Sequence, residues 1–115
     1  MRLSEIDKGP ALFLDDEREP PMDGHKWVLV RSFDQAKRYV ESHGMPPYAS
    51  FDHDLGDGQT GYDFIKWLVE HDMEKNVIKE NFDYYVHSQN PIGVANIRGY
   101  LSNYLEVKNG KEGTC

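Results

Sequence analysis

Apolar residues occur along this chain in blocks of two kinds. Four blocks are short and nearly continuous: Ala11-Leu12-Phe13-Leu14, Trp27-Val28-Leu29-Val30, Tyr48-Ala49-Ser50-Phe51 and Tyr84-Tyr85-Val86. Unbroken apolar character over so few residues predicts strands buried on both faces of a sheet. The segments between them carry helical spacing. Phe33, Ala36 and Val40 share a stripe behind Ser32, which reads with Gln35 as a capping box, and Gly44 with Pro46-Pro47 ends that helix near His43. Thr60 with Asp63 caps a second helix through His71, with Ile65, Leu68 and Val69 turned inward. Asn90-Pro91 starts a third, whose inner stripe is Val94, Ile97, Leu101, Tyr104 and Leu105. Glu17 to Lys26 contains Pro20, Pro21 and Gly24 and predicts a loop, and Asn76 to Glu80 reads as a connection.

Strands alternating with helices predict an α/β fold: about four mostly parallel strands with helices on the faces. No period of repeat-protein length recurs. The 115 residues suit one domain, residues 1–107, with a frayed polar tail over 108–115. Composition narrows the function classes. A net charge of −7 disfavours a surface that coats duplex nucleic acid or an anionic membrane, since neutralising phosphates needs a basic face. The single cysteine, Cys115, leaves no intrachain disulfide framework and no cysteine-rich zinc site. The charged N-terminus has no signal-like or membrane-spanning stretch, so a reducing cytoplasm is the expected compartment.

The candidate chemistry sits where the strands end. Asp15-Asp16, Asp52-His53-Asp54 and His87-Ser88 each follow an apolar block directly. In open parallel sheets the ligand site lies beyond the carboxyl ends of the strands, so these clusters are expected to meet. Asp15, Asp16, Asp52 and Asp54 would crowd carboxylates together, which a divalent cation relieves; hard oxygen ligands favour Mg²⁺ or Mn²⁺. The competing reading makes the first pair a turn cap and the second pair solvated loop acids. His53 and His87 are candidates for proton transfer, against the plainer reading of loop-holding histidines. Ser88 and Asn90 precede the third helix, whose N-terminal amides attract phosphate, although Asn90 also reads as the helix cap. Arg18 and Arg31 are the basic residues nearest the strand ends, and Arg18 is the candidate phosphate partner. Nothing surrounds Ser88 that resembles a nucleophile elbow, and Gly56, Gly58 and Gly61 lack the spacing and lysine of a nucleotide-binding loop.

Leu14-Asp15-Asp16-Glu17-Arg18, Phe51-Asp52-His53-Asp54-Leu55-Gly56, Gly61-Tyr62-Asp63 and His87-Ser88-Gln89-Asn90-Pro91 together resemble the cyclic-phosphate-processing receiver-like domains, divergent relatives of response-regulator receivers in bacteria and phages. The resemblance runs from about Ala11 to Leu105 and implies a truncated, flavodoxin-like, three-layer fold. It matches Asp15 and Asp16 to the receivers' Mg²⁺-binding acids, Asp52 to the phosphoaccepting aspartate, Gly61 to the glycine opening the next helix and Ser88 to the small hydroxyl residue. Two receiver features are missing: the helix between the first two strands, and the fifth strand with its phosphate-pairing lysine. That argues against ordinary phosphorelay signalling. The implied function is a metal-dependent phosphoesterase acting on cyclic or terminal phosphates of nucleotides or RNA ends. Asp15, Asp16, Asp52 and Asp54 would serve the metal, with His53, His87 and Asp52 catalytic and Arg18, Ser88 and Asn90 on the phosphate. The alternative is a non-catalytic regulatory or phospholigand-binding module, with a protein partner conceivable for either.

Overall fold

Each apolar block becomes one strand of a single sheet. The computed structural model describes residues 8–56 and 58–109, so Met1–Asp7, Cys115 and the rest of the expected tail beyond Asn109 lie outside the described residues. In chain order the elements are β1 (Gly9–Leu14), β2 (His25–Val30), α1 (Phe33–His43), β3 (Tyr48–Phe51), α2 (Gly61–Lys75), β4 (Asp83–Val86) and α3 (Pro91–Lys108). The strands lie in the order β2-β1-β3-β4, and every neighbouring pair is parallel.

The caps explain where the helices start. Ser32 accepts the Gln35 amide at 3.1 Å, while the Gln35 side chain reaches one residue further back, to the Arg31 amide at 2.8 Å. Thr60 and Asp63 form the full reciprocal box. Asn90 accepts the Gly93 amide at 3.0 Å, with Pro91 behind it. α2 runs a turn past the expected His71, to Lys75, and closes on Asn76 in the left-handed region (φ 55°). Lys108, assigned to the tail on sequence, is the last residue of α3.

Side chains alternate across the sheet. Leu12, Leu14, Val30, Ala49, Phe51 and Val86 form one core with Ala36, Val40, Phe64, Ile65, Leu68, Ile97 and Leu101 from the three helices. The truncated receiver-type fold expected from the sequence is thus the one that forms. Its layering differs in one respect. The β2-to-β3 and β3-to-β4 crossovers run the same way across the sheet, and right-handed connections then place α1 and α2 on the same face. α3 packs beside α2. Among the described residues, the opposite face, bearing Phe13, Trp27, Tyr48 and Tyr85, meets the proline-bearing loop after β1 instead of a helix. No helix among the described residues is long and apolar enough to cross a membrane.

Candidate active site

Strand register assembles the site. Leu14, Phe51 and Val86 are partners across β1, β3 and β4. The hydrogen-bond ladder continues one residue beyond them: the Asp52 amide donates to the Leu14 carbonyl and the His87 amide to the Phe51 carbonyl, both at 2.9 Å. Asp15, Asp52 and His87 therefore stand side by side at the carboxyl edge of the sheet. One ligating atom from each lies within 4.8 Å of the others.

His87 is held from both ring nitrogens. Nε2 lies 2.8 Å from Asp15 Oδ2 and Nδ1 lies 2.7 Å from Ser50 Oγ. Its ring stacks on Phe13, with centroids 4.7 Å apart and planes 2° from parallel. The Asp15 carboxyl is 1% exposed. Burial pushes its pKa up, but the Arg18 and Glu17 amides, at 2.9 and 2.8 Å on Oδ1, together with His87, hold it below the ordinary carboxylate value. Asp15 thus both caps the turn after β1, as the plainer sequence reading has it, and presents its other oxygen to the cluster.

A cleft of about 310 Å³ opens beside Asp15 and Asp52, and Asp16, Arg18, Asp54 and Ser88 line it with them. Arg18 donates to the His87 carbonyl at 3.1 Å, and its Nε lies 4.0 Å from Asp15 Oδ2. Ser88 Oγ accepts the Asn90 amide at 3.1 Å. Arg31 stays behind the rim, donating to the Asp15 and Arg18 carbonyls and pairing with Glu19 at 2.7 Å.

Two expected site residues point elsewhere. His53 turns to the start of α3, with its ring over Gly93 and Nδ1 3.0 Å from Asp54 Oδ1. A Cβ on Gly93 would lie 2.8 Å from the His53 Cβ and closer still to the ring, so glycine is what admits the imidazole there. Asn90 spends its side-chain oxygen on the helix cap. His53 is drawn off by its own contacts with Gly93 and Asp54, whereas Asp16 and Ser88, equally one step past Asp15 and His87, still line the cleft. Ser50 and Phe13 are the residues that sequence reasoning missed. Their signal is the strand period of two, since each precedes its cluster neighbour, Asp52 or Asp15, by two positions.

A family model described as cyclic-phosphate processing receiver domain matches residues 11–103. No curated protein matches the chain. A solved structure of a fusion carrying the yeast Spc42 trimeric coiled coil, amino acids 181–211, has a TM-score of 0.59 at 12% identity, over 95% of this chain and 84% of that one. That likeness is one of fold alone.

Proposed function

Because the chain belongs to the cyclic-phosphate processing receiver domain family, we propose that it is a metal-dependent phosphoesterase acting on cyclic or terminal phosphates of nucleotides. The observation that carries this reading is the convergence of Asp15, Asp52 and His87 on one rim. Two carboxylates and an imidazole so close together fit a divalent ion, and the mixed oxygen and nitrogen donors favour Mn²⁺ alongside Mg²⁺. Asp15 and Asp52 would hold it, with Asp16 and Asp54 as the further acids of the cleft. A metal there supplies a Lewis acid for the phosphoryl oxygens and a more acidic water.

The chain's own residues do the rest. Ser50 and the Phe13 ring fix the His87 imidazole, so that Nε2 faces the rim and can hold or release a proton there. Nε2 cannot carry a proton and ligate a metal at once, and the Mn²⁺ affinity of His87→Gln separates the two roles. Arg18 and the Ser88 hydroxyl face the same cleft and would orient the phosphate. The opening of α3 adds a positive dipole end nearby.

The test is turnover of nucleoside 2′,3′- and 3′,5′-cyclic phosphates with Mn²⁺ or Mg²⁺. Activity abolished in Asp52→Asn and reduced at least about a hundredfold in His87→Gln is expected. No turnover with any substrate and metal would remove the phosphoesterase reading. Stable labelling of Asp52 by acetyl phosphate or beryllofluoride would then support the regulatory alternative, which draws on the placement of Asp52 at the receiver phosphoacceptor position.

A further inference from the structure

The sheet face that carries no helix among the described residues holds a second cleft, of about 290 Å³. We propose that this cleft is a nucleobase subsite, seating the base of a single nucleotide whose phosphate occupies the Asp15–Asp52 rim. The proposal rests on the phosphate reading of that rim. Phe13, Trp27, Tyr48 and Tyr85 supply the cleft with flat aromatic walls, and Ser50 and His87 line it too. Phe13 is already packed, edge-on to Trp27 at 5.5 Å between centroids and stacked on His87. Tyr48 is stacked on His25 at 4.7 Å. Tyr85 is different: it is 59% exposed on the edge strand and makes no ring contact among the described residues. An unpartnered tyrosine beside an aromatic cleft is a stacking platform for a base.

Continuity with the rim identifies the occupant. Arg18 lines both clefts, and His87 is a wall of this one while its Nε2 reaches Asp15. A ligand seated here must therefore present an aromatic ring a short distance from an anionic group, which is the chemistry of a nucleotide. The volume lies at the small end for a ligand site and suits one ring system. The chain's acidity, with Glu19 and Asp23 on the cleft wall, opposes a longer polyanion.

Calorimetry on the full chain with Mn²⁺, using adenosine 2′-phosphate and the base-free glycerol 2-phosphate, tests this. The nucleotide is expected to bind about fivefold or more tighter. Tyr85→Thr, which keeps a strand-forming side chain, should abolish that preference, and Tyr85→Phe should retain it. In Trp67→Phe, where Trp27 is the remaining tryptophan, the nucleotide should quench fluorescence and glycerol 2-phosphate should not. Equal affinities, or a preference that survives Tyr85→Thr, would overturn the subsite. So would a short oligonucleotide with the same 3′ end that binds tenfold tighter than the mononucleotide, since one base would then not fill the site. Comparable turnover of glycerol 1,2-cyclic phosphate and a nucleoside 2′,3′-cyclic phosphate would overturn the subsite and leave the phosphoesterase reading standing. A nucleotide preference without turnover would do the reverse.

Discussion

Gly61 lies against the Asp52 backbone so closely that a Cβ would sit 3.0 Å from the Asp52 carbonyl carbon, nearer still to its oxygen, and 3.3 Å from the His53 Cα. Its amide donates to the His53 carbonyl at 2.7 Å. Backbone cannot step aside as a flexible side chain can, so Gly61→Ala is expected to destabilise the protein by about 1–3 kcal/mol and to displace Asp52. Gly99→Ala is the control: an added Cβ meets nothing within 4 Å on exposed α3, so a gain of about 0.5–1 kcal/mol is expected. Urea midpoints check both, and a Gly61→Ala as stable as the parent would refute the close approach. At this scale Asp15, Asp52 and His87 were legible because each is the first polar residue after an apolar block. The misplaced histidine is His53, and the reason is that its ring packs over Gly93 at the start of α3, a contact that no local spacing announces. For Ser50 the period of two before Asp52 marks only the face it shares, not the histidine 37 positions on that its hydroxyl meets.

The elements themselves were legible where caps and spacing agree, as for α1 and the starts of α2 and α3. The end of α2 was not, because its last turn is held by a contact with α3. Asp72, 2% exposed, accepts from Lys108 and Tyr104 at 2.7 and 2.6 Å and from the Ile78 amide at 2.7 Å. No local spacing announces a pair 36 residues apart. Burial pushes the Asp72 pKa up, but Lys108, Tyr104 and the Ile78 amide hold it below the ordinary carboxylate value. A folded-state pKa below the unfolded one adds stability that is present above about pH 4 and lost as pH falls through the lowered value. Burial and the same carboxylate push the Tyr104 hydroxyl up, so Tyr104 remains a donor throughout. Lys108→Met is expected to cost up to about 3 kcal/mol at pH 7, since it leaves a buried carboxylate short of its cation. That deficit should shrink below pH 4 as Asp72 protonates. Urea midpoints of the parent, Lys108→Met and Asp72→Asn between pH 2 and 7 check this, and a deficit independent of pH would refute it.

At the scale of the whole fold, the described residues have a loop and no helix between β1 and β2, which leaves the carboxyl edge of the sheet intact while one face meets that loop. The three helices carry the core, so the rim is free to hold chemistry that opposes stability. Among its acids, Asp15 and Asp52 bring oxygens within 4.8 Å of each other in a chain already at −7. Like charges that close raise the free energy of the folded state unless a cation intervenes, and the hydrogen bond from His87 goes to Asp15. Asp52→Asn is therefore expected to raise the melting temperature of the metal-free protein. The parent should gain stability with Mn²⁺, and at a hundredfold excess over Kd the gain is about 2.7 kcal/mol, or roughly 10 °C for a domain this size. Asp52→Asn should lose most of that gain, whereas Asp72→Asn, whose carboxylate is tied to Lys108 instead of the rim, should keep it. Differential scanning calorimetry with chelator and then with Mn²⁺ or Mg²⁺ reads all three proteins. A parent whose melting temperature ignores both metals at millimolar concentration, with Asp52→Asn no more stable than the parent in chelator, would mean that the rim acids neither bind a cation nor strain the fold.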